Sequence, residues 1–127
     1  MGMAVYHKVN KSVDEFLGEW EEALKADKLR QAGEKLWGAA SQAVKALAEL
    51  HGWQHDGHVL LFEVVRRVAK ERNDEQLRYQ FGLANVLHIN FDENWLKEED
   101  ITSYALQIEE FISEIKKIVA EEGGWTS

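Results

Sequence analysis

The chain has 127 residues, 45% of them apolar, with 23 acidic against 15 basic side chains and a net charge of −8. That length fits one domain with a sizeable core, and the apolar content excludes a disordered chain. The absence of proline favours long helices joined by short turns, and the absence of cysteine excludes disulfides, thiolate metal sites and a thiol nucleophile.

Residues 1–11 are expected to be loosely ordered. They lack the apolar run of a signal peptide, and Tyr6 stands where a myristoylation motif needs serine or threonine. Ser12 with Glu15 makes a capping box, and Val13, Phe16, Leu17, Trp20 and Leu24 follow at helical spacing. A first helix is therefore predicted from Ser12 to about Ala26. Asp27 is placed to cap a second helix, Leu29 to His51, with Gly52 as its stop.

This second helix is rich in alanine. Gln31, Glu34, Lys35, Gln42, Lys45 and Glu49 share about a third of its circumference at 100° per residue. The remaining arc carries Leu29, Leu36, Trp37, Val44, Leu47, Leu50 and a run of alanines. A helix apolar over so wide an arc lies at the centre of a bundle, or has one face on a core and another on a partner subunit.

The loop Gly52 to Gly57 (GWQHDG) leads to a third helix, His58 to Arg72, with Leu60, Leu61, Val64, Val65 and Val68 inward. Asn73-Asp74 is a turn, and Asp74 is placed to cap a fourth helix whose stripe is Leu77, Phe81, Ala84, Leu87, His88 and Phe91. A last helix runs from about Lys97 to Glu121 on a stripe of Ile101, Tyr104, Ala105, Ile108, Phe111, Ile112, Ile115 and Ile118. Gly123-Gly124 ends it, and residues 123–127 form a tail. The prediction is an all-α, antiparallel up-and-down bundle of about five helices in one domain, 1–127. No segment reaches transmembrane length, and a cytoplasmic protein is expected.

Charge is unevenly spread. Residues 92–127 carry 3 basic and 10 acidic side chains, whereas residues 59–91 carry 5 and 4. The acidic balance argues against DNA binding or an anionic membrane, and leaves RNA open. Arg66, Arg67, Lys70, Arg72 and Arg78 form a basic neighbourhood diluted by Glu71, Asp74 and Glu75. Its ordinary reading is a set of solvated ion pairs; its specific one is an anion site at Arg66, Arg67 and Lys70.

His51, His55 and His58, with Asp56 between them, cross one helix–loop–helix junction. Imidazoles and a carboxylate are zinc-type ligands, yet H-x3-H-x2-H matches no zinc signature and Gly52 breaks the helix between the first two. The plainer reading puts His51 at a helix C-terminus and His58 in the next first turn. His88 lies on the apolar stripe of the fourth helix. Buried, it is a hydrogen-bonded core residue; opening onto a cleft, it is a general base, although its only carboxylate one turn away, Asp92, falls where the helix is expected to end.

The scattered glycines form no phosphate loop, and Ser41 lacks a nucleophile elbow. Glu21-Glu22, Glu98-Glu99 and Glu109-Glu110 belong to solvated faces, and Glu34 is a weak candidate as well. Without a Glu-x-x-His motif, di-iron chemistry is rejected, and no cofactor is expected. Trp20 and Trp37 are expected in the core or a subunit interface. Trp53, Trp95 and Trp125 sit in or near loops, where they seal a bundle end or form a ligand platform.

The run Leu36 to Trp53 (LWGAASQAVKALAELHGW), then HDGHVLLFEVV, then Leu83 to Phe91 (LANVLHINF) resembles the archaeal PaREP family of small helical proteins, frequent in thermophiles and mostly without assigned activity. The resemblance covers roughly residues 12–120, and the cysteine-free, Glu/Lys-rich composition fits a thermophile. By pattern the chain also looks like a distant relative of the HEPN bundles, which associate with nucleotidyltransferases and include dimeric RNases. Their R-x4-H-x-Y signature, laid on His88, puts Leu83 at the arginine and Asn90 at the tyrosine. Leucine supplies no cation to a phosphorane-like transition state, which argues against a working nuclease.

These readings converge on a non-catalytic interaction or ligand-binding module, homodimeric and linked to a nucleotidyltransferase partner. Trp37, Trp53, His58, His88, Asn90 and Phe91 are expected to line its cleft or interface. The alternative is a HEPN-type RNase with a degenerate motif around His88.

Overall fold

The computed structural model describes the backbone of residues 2–123 and the side chains of residues 12–123. It holds five helices, α1 (Gly2–Lys25), α2 (Leu29–His51), α3 (His58–Glu71), α4 (Gln76–Glu93) and α5 (Glu98–Glu122), with no strand among the described residues. None of these helices is long and apolar enough to cross a membrane.

Helix α2 spans Leu29–His51 and α3 begins at His58 as expected, whereas the start of α1 and the residues expected to cap α2 and α4 differ. Helix α1 begins at Gly2, so Ser12 and Glu15 lie inside a helix and form no capping box. Nothing between Gly2 and Ser12 breaks a helix, and propensity carries it through. Asp27 is not the N-cap of α2; it takes φ 58° and closes α1, with the Lys28 amide donating to the Ala23 carbonyl. Gly52 closes α2 at φ 71°, with the Trp53 amide on Ala48, and Asn73 closes α3 at φ 52°, with the Asp74 amide on Ala69. Each is the left-handed stop in which a downstream amide returns to the last carbonyls. Asp74 thus belongs to the end of α3, and α4 has no side-chain cap. Short polar residues signal both ends of a helix, and here they serve the ends.

Helix α2 is the centre of the bundle and packs on α1, α3, α4 and α5. Ala32, Ala39, Ala40, Ala43, Ala46 and Ala48 are all buried, so neighbours approach its backbone closely. The wide apolar arc is covered within one chain and supplies no argument of its own for a second subunit. Gly38 makes the closest approach: a β-carbon there would meet the Phe16 ring at 2.6 Å. Phe81, fully buried, is the hub on the other side, with ring centroids 5.3 Å from Trp37, 4.8 Å from Phe62 and 5.4 Å from Phe111.

Phe16 lies at Gly38 and Glu19 pairs with Lys35, so α1 and α2 run in opposite senses. Gly33 at Leu87 and Trp37 at Phe81 give α2 and α4 the same relation. Helices α2 and α3 instead run the same way. His58 stacks on Trp37, Arg67 lies over Trp53, and Arg72 reaches Glu122, which also bonds His51. The 52–57 linker doubles back along the bundle to permit this. Six extended residues span roughly 20 Å, about the helical rise from Trp37 to His51.

Candidate functional site

Glu34 and Trp37 lie one turn apart on α2, and α4 brings His88 across from both. The doubled-back linker delivers His58, the first residue of α3, to the same place through Gly57 at φ 90°, a backbone suited to glycine. The rings form a compact triangle. Trp37 stacks with His58 at 5.1 Å and 10°, and with His88 at 5.1 Å and 24°; the two imidazoles are 5.0 Å apart.

Both Glu34 carboxylate oxygens stand 2.9 Å from Nδ1 of His88, and both side chains are half-buried. A carboxylate only accepts, so Nδ1 donates and Nε2 is left as the basic nitrogen. His58 is exposed and makes no hydrogen bond among the described residues. One imidazole is thus oriented and the other is free to accept or supply a proton. The pair fits a polar or anionic group held against an aromatic wall. One turn before Glu34, Arg30 lies over the Phe91 ring at 5.9 Å, the nearest cation along that face of α2.

Other expected site residues go elsewhere. Asn90 is buried, and its Oδ1 accepts from the Trp95 and Leu96 amides, so it shapes the α4–α5 connection. Phe91 is at the surface beneath Arg30 and outside the ring triangle. Leu83 packs against the core, and Arg78 pairs with Glu75 at 3.0 Å. Trp20 is buried, Trp95 is exposed, and Trp125 and most of the 123–127 tail lie outside the described residues.

The three junction histidines take separate partners. His51 bonds Glu122 and stacks on Trp53 at 4.3 Å; His55 Nε2 is 3.7 Å from Glu49; His58 joins the triangle. Among the described residues no group of three or more His, Cys, Asp or Glu is arranged to hold a metal ion.

Around Glu122 a polar clasp ties the ends of α2, α3 and α5. Arg72 donates to Glu121 at 3.0 Å and to Glu122 at 2.7 Å, and its guanidinium is held above its ordinary value chiefly by the Glu122 bond. Burial works to raise the Glu122 carboxyl, but the bonds and charges of Arg72 and His51 outweigh it and hold it below the usual range.

Trp53 stands apart from the triangle, between His51 and Arg67, whose guanidinium lies 4.2 Å from the ring centroid. With Arg66 and Lys70 it borders a groove of about 460 Å³ along the outer face of α3.

The residue sequence reasoning undervalued is Glu34. It sits in the polar stripe of α2 and reads as solvated, and its partner is 54 residues away. Two signals bear on it: Trp37 one turn on, and an otherwise unpaired histidine on the apolar stripe of α4.

Comparison with curated proteins and with solved structures gives no match. The family model described as the archaeal PaREP1/PaREP8 family matches residues 9–112, most of the chain, and the protein therefore belongs to that family.

Proposed function

We propose that this protein is a non-catalytic helical module that binds a small polar ligand and a protein partner, and that it acts as a homodimer. The observation carrying this reading is the Trp37–His58–His88 triangle with Glu34 on His88. It presents two imidazoles, His58 exposed and His88 half-buried, backed by the buried Trp37 ring. Val59, Ile89 and Phe91, exposed and close in sequence to the two histidines, give this end of the bundle apolar area for a second copy to cover. The HEPN-like pattern points to a nucleotidyltransferase as a further partner in a cytoplasmic complex. Native mass spectrometry tests the proposal: a dimer that Ile89→Asp converts to monomer supports it, and a wild-type monomer at micromolar concentration removes the dimer. Retained small-molecule mass that His88→Ala abolishes supports the ligand site.

One observation favours a second reading, a HEPN-type RNase. His88 takes its orienting carboxylate from another helix, at Glu34, although Asp92 stands one turn on in α4, and a carboxylate-held imidazole beside a second one is an acid–base pair. Against it stands Leu83 in place of the cation. Cleavage of single-stranded RNA that His88→Ala and Glu34→Gln both abolish, at unchanged melting temperature, would establish this reading over the first.

A further inference from the structure

A second place on the molecule is built for an anion. On α3, Leu60, Glu63, Arg67 and Lys70 recur at helical spacing and share one face, with the buried Val64 at its floor and Arg66 flanking it. The returning linker lays Trp53 and Gln54 along this face, which makes a groove of about 460 Å³ where a lone helix would present a convex surface. Three cations and one carboxylate, Glu63, line it, in a chain of net charge −8.

The cations are only lightly engaged. Arg66 pairs with Glu63 within one turn, and Arg67 reaches Glu71 at 3.3 Å; both pairs are exposed, and such pairs are weak. Lys70 makes no ion pair among the described residues. Arg67 is also held in place by lying over Trp53, which itself rests on His51. A guanidinium already fixed loses little freedom when it takes a ligand, and its edge is still free to donate. Beside the cations, Leu60 and the edge of the Trp53 ring, whose faces are taken by His51 and Arg67, give an apolar border for a flat ring.

We propose that this groove binds a nucleotide, with Arg66, Arg67 and Lys70 on its phosphates and its base against Leu60 and Trp53. Phosphate takes paired N–H donors from arginine in a way that a single carboxylate in the wall does not prevent. The groove volume is that of a small-ligand site, of the order of 300–1,000 Å³, and a peptide segment would need a longer trough. The nucleotide is either free or one unit of a single strand, and the chemistry is the same. The inference is independent of the Trp37–His58–His88 site, none of whose residues lines the groove.

The test is calorimetric titration of the full chain with ADP, and separately with a short oligouridylate. Three proteins are compared: the wild type, an Arg66→Gln/Lys70→Gln double variant and His88→Ala. Both substituted groove side chains are exposed, and an unchanged melting curve confirms that the double variant folds. The expected result is saturable binding of ADP, weakened about tenfold or more in the double variant and unchanged in His88→Ala. The same pattern with the oligonucleotide alone also supports the groove and identifies a strand as the source. Binding that survives the double substitution, or no saturable binding of either probe up to about 1 mM, overturns it. Binding lost in His88→Ala and kept in the double variant places the ligand at the histidine site and overturns the groove as well.

Discussion

Glu34 and His88 meet across 54 residues of sequence, with Nδ1 of the imidazole 2.9 Å from each carboxylate oxygen. The contact dictates a tautomer, since only a protonated Nδ1 has something to give a carboxylate. Nitrogen NMR of neutral His88 is expected to show Nδ1–H in the wild type and a shift towards Nε2–H in Glu34→Ala. The same substitution is expected to cost about 1 kcal/mol in urea unfolding, the net worth of a half-buried hydrogen bond. A wild-type ring protonated on Nε2 would contradict the arrangement.

Two glycines inside helices are predicted to behave oppositely. A β-carbon at Gly38 meets the Phe16 ring at 2.6 Å, whereas one at Gly82 meets nothing within 4 Å. Gly82→Ala is expected to stabilise by about 0.5–1 kcal/mol through helix propensity alone. Gly38→Ala gains the same propensity but pushes α1 off α2, for a net loss of roughly 1–2 kcal/mol. Combining it with Phe16→Leu is expected to recover part of that loss. Chemical denaturation of the set reads the difference.

Asn90 is predicted to matter for stability and little for binding. Its side chain accepts from two backbone amides, of Trp95 and Leu96, in a buried position. Alanine strands both donors, at an expected cost of about 2–3 kcal/mol. Ser41 supplies the contrast, because its buried Oγ has no hydrogen-bond partner among the described residues. Ser41→Ala removes that group and is expected to raise stability by up to about 1 kcal/mol.

Acid stability is predicted to depend on the clasp. Glu122 ionises below the ordinary glutamate range when folded, so its contribution is fully present above about pH 4.5 and is lost as pH falls through the lowered value. Glu122→Gln is expected to cost about 0.5 kcal/mol at neutral pH, after allowing for solvent screening, and to flatten the acid limb of the stability curve. Glu109 is shifted upward, by burial first and then by the charge of Glu21, so its sign is reversed. Glu109→Gln is expected to raise stability slightly at neutral pH and to leave it unchanged at about pH 3, which steepens the acid limb. Melting curves from about pH 3 to about pH 7 distinguish the two.

The helices were legible because their apolar residues recur at one period, and α2 was legible as the centre because its polar stripe is so narrow. The capping roles were not, since Asp27 and Asp74 carry the same side-chain chemistry whether they open a helix or close one, and Ser12 lies within α1. The path of the linker was not legible either, because the six residues GWQHDG turn a chain or retrace it equally well. That path decides the site: it brings His58 to His88 and Trp53 to Arg67. Trp37, His58 and His88 were readable as candidates one by one, but their convergence, and the part of Glu34, depend on contacts between helices distant in sequence.

The central place of α2 also bears on the order in which the molecule assembles. Helices α1 and α2 are joined by a short turn and close on each other through local contacts, which form early. The seat of α5 on α2 joins residues as far apart as His51 and Glu122, 71 positions along the chain, and must follow. Until then the alanine face of α2 that α5 covers is open to water. Docking of α5 is therefore the step that closes the core around α2.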